Sequence, residues 1–192
     1  LSRKPGYVNI PQVSRYLSFF IVILLICGCS SSKKQIVSDS LDATPVITGS
    51  VVNSSEFAKG GMVALDSFKP GPGAAANDDT DQLSVMLIRG IRDTLPASRA
   101  RFSVQTGHQD DSEYILEGNI ESYGREGHAA RSKLGKNQVF LAIDGNIWLR
   151  ETGEKIFLFQ TSVIIDLKTQ SPAAMAYQIG AAVARYIGSR SI

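Results

Sequence analysis

At 192 residues, 43% hydrophobic and 20% charged, the chain has mass for one ordinary globular domain beside a leader, and its composition excludes collagenous and wholly disordered classes. The formal charge is +2, but residues 1–28 hold Arg3, Lys4 and Arg15 and no acid, so three of the 20 bases leave with the leader and 17 face 18 acids. A near-neutral body excludes a nucleic-acid binder that relies on a broad basic field.

The first element in chain order is the unbroken apolar run from Phe19 to Cys27. A helix crossing the bilayer core needs about 20 apolar residues and a signal-peptide core about 7–15, so this run has signal-peptide length. Basic residues precede it, as they do in such leaders. An uncleaved signal anchor or a buried apolar helix is the structural alternative. Leu1 stands where Met would open a chain, so a fragment and a non-standard start both fit the leader's beginning.

The closing Ile26-Cys27-Gly28-Cys29 resembles the lipobox of bacterial lipoproteins: an aliphatic residue, a small residue, Gly and the modified Cys. That resemblance implies cleavage between Gly28 and Cys29, a diacylglycerol thioether on Cys29 and acylation of its new amine by a palmitate-type chain. Several acyl chains hold a protein at a membrane where one holds it marginally. Ser30 stands where Asp would resemble an inner-membrane retention signal, which implies the periplasmic face of the outer membrane. Cys27 leaves and Cys29 is consumed, so no disulfide framework, thiolate metal site or cysteine nucleophile remains.

Residues 29–59 are rich in Ser, Asn, Thr, Asp and Gly and read as a flexible tether with a reach of about 30 Å. Val46-Ile47 and Val51-Val52 are its candidates for a short strand. The folded domain is expected over 60–190. Residues 61–68 are a short apolar strand, and the Pro- and Gly-rich 69–79 a loop. Asp79 with Gln82 fits a capping box, followed by a helix bearing Leu83, Leu87 and Ile91 and ending near Leu95-Pro96.

Residues 101–106 are a strand and 107–113 a turn. In 114–124, Tyr114, Leu116, Gly118 and Ile120 share one face, opposite Ile115, Glu117, Asn119 and Glu121. Residues 138–149 alternate likewise, with Leu141, Ile143 and Ile147 set against Asp144, Asn146 and Trp148. A turn at Glu151-Thr152-Gly153-Glu154 leads into a strand over 156–167. Ser171 caps and Pro172 opens a final helix to about Ile187, with Gly188 past its end. Ala173, Ala176, Gly180 and Ala184 form a small-residue flank for close approach. The fold class is α+β: a mostly antiparallel sheet of about five strands with two helices on one face, in the order strand, helix, four strands, helix.

Glu113-Tyr114-Ile115-Leu116-Glu117-Gly118-Asn119-Ile120 and the Thr152-Gly153-Glu154-Lys155-Ile156 hairpin resemble segments of the curli secretion channel subunit family (CsgG-like). Met62-Val63-Ala64-Leu65 resembles the opening strand of that family and of the TolB amino-terminal domain. The likeness spans about residues 60–190 and implies a periplasmic core of envelope transport or secretion systems. A membrane strand needs about 9–11 residues, and the charged loop 125–137 is too short for two, so a complete pore of that type is not expected.

Chemistry is sparse. His108 and His128 stand in polar loops without other ligands at metal spacing, and Asp78-Asp79-Thr80-Asp81 lacks the Gly and Glu of a calcium loop. There is no Gly-Lys-Ser/Thr phosphate loop and no Gly-x-Ser-x-Gly. No enzyme activity, cofactor, metal or small-molecule substrate is expected. The concentrated basic feature is the loop carrying Arg125, His128, Arg131, Lys133 and Lys136, the candidate surface for a protein partner. The expected role is a lipid-anchored accessory or assembly protein that binds envelope proteins, or alternatively a self-assembling subunit of a ring or channel.

Overall fold

The computed structural model describes residues 45–105, 111–124 and 134–191, all within one compact unit, Ser38–Ile192. The elements in order are β1 (Thr48–Val51), α1 (Ser54–Lys59), β2 (Gly61–Gly73), α2 (Asp78–Thr94), β3 (Phe102–Val104), β4 (Tyr114–Gly124), β5 (Gln138–Leu149), β6 (Lys155–Asp166) and α3 (Pro172–Arg190). A single-turn 3-10 segment, Leu95–Ala97, follows α2.

From β2 onward this is the expected sequence of strand, helix, four strands and helix. Two corrections concern what precedes it and how it pairs. Residues 48–59 are not tether: β1 adds to the edge of β6, and α1 drives Phe57 into the core against Phe102 and Phe157, with ring centroids 5.2 and 5.1 Å away. Val51-Val52 marks a short strand in the sequence, which stands at Thr48–Val51, whereas polar composition concealed α1, because one buried Phe suffices to dock so short a helix. The sheet is also six-stranded and mixed, in the order β1-β6-β5-β4-β2-β3. β2 runs parallel to both β3 and β4, while β4, β5, β6 and β1 pair antiparallel. Helix α2 is the crossover that parallel β2 and β3 require.

β2 extends to Gly73, through the Pro-Gly stretch expected to be a loop. Its register against β4 slips between Leu65 and Phe68 and again between Pro70 and Gly73. Proline is tolerated here because β3 covers only Gly61–Val63, leaving the later outer edge without a ladder to break. At the first bulge the Phe68 amide donates to Ser84 Oγ at 2.9 Å.

Alternation decides which face of the sheet is buried. Leu116, Ile120, Leu141, Ile143, Ile147, Ile156 and Phe157 have almost no exposure and join Leu83, Leu87 and Ile91 of α2 and Ile179 and Val183 of α3 in one core. Gly118 and Gly145 sit opposite one another in the ladder. A Cβ on either would strike the ring of Phe68 or of Phe159, so the two phenyl groups fill the space that the glycines leave.

The helix caps also differ from expectation. Asn77, not Asp79, caps α2, through a reciprocal pair with Thr80. Asp79 falls inside the first turn, where it complements the helix dipole. Gly188 lies within α3, and a Cβ there would collide with the Ser98 carbonyl. Its role is close approach, not termination.

Ile143→Ala is expected to destabilise the fold by about 2–5 kcal/mol, as a buried large-to-small change. Asn146→Ala, on the opposite face, should cost far less. Urea denaturation of both variants checks the assignment of faces, and equal losses would contradict it. Gly180→Ala should cost about 1–3 kcal/mol, because the new methyl must push two helix backbones apart.

Candidate functional site

With the core on one side, the even-numbered positions of β5 and their neighbours form a second face that no helix among the described residues covers. A polar band crosses its middle: Glu117, Asn119 and Glu121 of β4, Asp144 and Asn146 of β5, and Gln160 of β6. Register places Asn119 opposite Asp144, Glu117 opposite Asn146, and Gln160 on the far side of Asp144. The register shift between Ile120 and Ser122 makes room for Glu121 as an extra residue, beside Asp144.

Burial, then the charge of Asp144 and a hydrogen bond with it, hold the Glu121 carboxyl above the usual carboxylate range. A Cβ at Gly71 of β2 would stand 2.9 Å from Glu121 Cα and 3.3 Å from its Cδ, so glycine there lets β2 pass close to β4 at Glu121. Farther along β5, three atoms have neither solvent contact nor a hydrogen-bond partner among the described residues: Asp144 Oδ1, Asn146 Oδ1 and Trp148 Nε1. They are two acceptors and one donor at alternate positions, hence aligned on one side of the strand.

Where this face meets β1, a shallow hollow of about 340 Å³ is lined by Thr48, Ser50, Asp144, Asn146, Lys155 and Gln160. Its hydroxyls, amides, carboxylate and ammonium suit hydrogen-bonded docking. Its lining, among the described residues, contains no histidine to act as base to a hydroxyl. Among the described residues, no three His, Cys, Asp or Glu side chains gather to hold a metal.

Gly28, Cys29, His108, Arg125, His128, Arg131 and Lys133 lie outside the described residues. Lys136 is exposed just before β5 and is not part of the polar band. Among the described residues no helix is long and apolar enough to cross a membrane. Sequence reasoning placed Glu117, Asn119, Asp144 and Asn146 on outward faces but did not join them. Joining β4 to β5 needs the register, which alternation within one strand does not contain.

No protein-family model matches this chain, and no curated protein matches its sequence. Its fold is similar to that of solved structures. A PelC dodecamer from Paraburkholderia phytofirmans is 12% identical, with a TM-score of 0.51 over 74% of this chain and 96% of that one. A point variant of the same PelC, also a dodecamer, is 13% identical with a TM-score of 0.50 over the same shares. A candidate lipoprotein from Caulobacter crescentus is 17% identical, but its TM-score of 0.34, over 71% of this chain and 89% of that one, is too low to carry a fold argument.

The raised affinity of Glu121 for its proton has a definite consequence for stability. The folded state binds that proton more tightly than the unfolded chain, so its contribution is complete below the ordinary glutamate value of 4.5 and is lost as pH rises through the higher folded value. Denaturation midpoints should therefore show a downward component over that interval. Glu121→Gln should remove it, and an unchanged pH profile in that variant would show that Glu121 does not carry this component.

Proposed function

We propose that this chain is a lipid-anchored accessory protein of the bacterial cell envelope, held at the periplasmic face of the outer membrane through Cys29. It works by protein association, not by substrate turnover, and it assembles with copies of itself. The observation that supports this reading best is the fold it shares with PelC, which is solved as a dodecamer and is overlapped over 96% of its length. A fold that occurs in a dodecamer is compatible with a repeated contact between copies, and such contacts close when the rotation between copies allows. The leader and the Gly28-Cys29 lipobox expected from the sequence would supply the attachment that keeps such an assembly at a membrane.

The chemistry of the uncovered face fits association. It offers acceptors, a buried indole N–H and a hollow lined by hydroxyl, amide, carboxylate and ammonium groups. Interfaces use such groups as directional contacts inside an apolar surround. Binding of unlike envelope proteins through the basic loop 125–136 is the second form of the same role, carried by its concentration of Arg125, Arg131, Lys133 and Lys136.

Two measurements decide between these forms. The full chain, extracted from bacterial membranes in detergent, should give a multiple of the subunit mass in native mass spectrometry. Unlike proteins captured by crosslinking around a monomeric chain would replace self-assembly with hetero-association. Cys29→Ser should abolish incorporation of a fatty-acid label and leave the chain unprocessed or released from the membrane. Undiminished label on that variant would remove the anchor from the proposal.

A further inference from the structure

Self-association needs a surface, and the sheet edges are poor ones. On one side, β2 carries two register shifts with Pro70 and Pro72 beyond the reach of β3. Prolines and bulges at an edge prevent further strands from adding. On the other side, β1 covers β6 from Phe157 to Gln160, and Thr161 Oγ1 donates to the Val46 carbonyl next in line. The outermost strands, β1 and β3, offer free edges of only four and three residues, so the faces present the larger surface for contact between copies.

The two faces carry opposite charge in two particular places. On the open face, Glu117, Glu121 and Asp144 outnumber Lys69, in register with Asn119, and Lys155 at the rim of the hollow, and they lie beside the unpartnered Asp144 Oδ1 and Asn146 Oδ1. Desolvated acceptors of this kind are costly until a donor meets them. At the far end of the helix layer, the donors are arginines. The contacts of Gly90 with Tyr177, of Gly180 with Leu87, and of Gly188 with Ser98 make α2 and α3 advance in the same direction. Their C-terminal ends, with the turn at Arg99, thus gather at one end of the layer.

Arg92 in the last turn of α2, Arg99, and Arg185 near the end of α3 are all exposed there, with no carboxylate at ion-pair distance among the described residues. The helix dipole accounts for a cation in a last turn. It does not account for Arg99, the one described non-glycine residue with positive φ, at 62°. An arginine held where Gly or Asn would be less strained points to a use for its side chain.

We infer that the open face of the sheet is an interface between copies of this chain, in which Glu117, Glu121 and Asp144 of one copy receive Arg92, Arg99 and Arg185 of the next. The contact rests on the self-assembly reading and supplies its geometry. Guanidinium groups present forked donors that match carboxylate and carboxamide oxygens, and they also stack on indole faces, so Trp148 belongs to the same receiving surface. Because the two patches differ, the contact is head-to-tail and each copy uses both of them. Such contacts close into rings when the rotation between copies allows.

Charge exchange tests the pairing directly. In the full chain, Arg92→Glu with Arg185→Glu reverses the donor patch, and Glu117→Arg with Glu121→Arg reverses the receiving one. Circular dichroism and thermal melting first establish that each variant is folded, and the exposed arginine pair keeps the test available should the sheet variant not fold. Each variant alone should assemble about tenfold more weakly or worse, by native mass spectrometry across a concentration series. Wild-type assembly should also weaken as salt is raised. An equimolar mixture of the two variants should regain assembly, because each then offers the other a complementary patch.

If wild type assembles and the arginine variant assembles equally well, this interface is wrong while self-assembly stands. Two weakened, folded variants that do not rescue one another would also overturn the direct pairing. A wild-type chain that stays monomeric at every concentration would overturn self-assembly itself, and the interface with it.

Discussion

The close approach of α2 and α3 is the constraint on which the rest of the molecule depends. At Gly90 and Gly180 each helix presents backbone to backbone, and a methyl group at either position would occupy the carbonyl of Tyr177 or of Leu87. Ala176 and Ala184, fully buried, continue that seam along α3. Small residues let two helices lie side by side over one sheet face without a gap that side chains would have to fill. Leu87 and Ile91 from one helix, with Ile179 and Val183 from the other, can then reach the same sheet residues. Wider spacing would open the middle of the core.

Placing both helices on one side has a cost that the sheet absorbs. The Gly118–Gly145 pair makes a depression that Phe68 and Phe159 fill, with ring centroids 6.4 Å apart. Phe68 can reach it because the bulge in β2 resets the alternation, and Ser84 satisfies the amide that the bulge turns aside. The same irregularities make β2 unsuited to further strand pairing. A packing device and an edge-protection device therefore share one segment.

What remains is the other face, and its chemistry is unlike that of a solvated exterior. Asp144 Oδ1, Asn146 Oδ1 and Trp148 Nε1 are withdrawn from water without receiving partners in return. Glu121 and Asp144 stand together despite like charge, which the raised proton affinity of Glu121 relieves. An antiparallel sheet can carry a solvated face at no penalty, but desolvated and unmatched groups favour whatever supplies their hydrogen bonds. The exposed arginines lie at the opposite layer of the same molecule. Complementary groups that cannot meet within one chain can meet between two.

The sequence by itself determined the elements that have a strong period and the side of each that turns inward. Leu141, Ile143 and Ile147 alternate with Asp144, Asn146 and Trp148, and side chains on a strand have no choice but to follow that alternation. Helix α3 was legible for the same reason, in Ser171, Pro172 and the seam of Ala176, Gly180 and Ala184. Tertiary structure alone decided that β2 pairs in parallel, that Pro70 and Gly73 continue a strand, and that β1 and α1 belong to the domain. Those outcomes follow from contacts far apart in the chain: an edge left uncovered by a short β3, and a hole at the core's end that Phe57 fits. It also decided which of two glycine roles applied at Gly188, because only the approach of Ser98 distinguishes a packing glycine from a helix stop. The polar band and the arginine end are of this second kind. Each charged residue looked like ordinary surface until register and helix direction brought it beside the others, since no local pattern encodes which strands become neighbours.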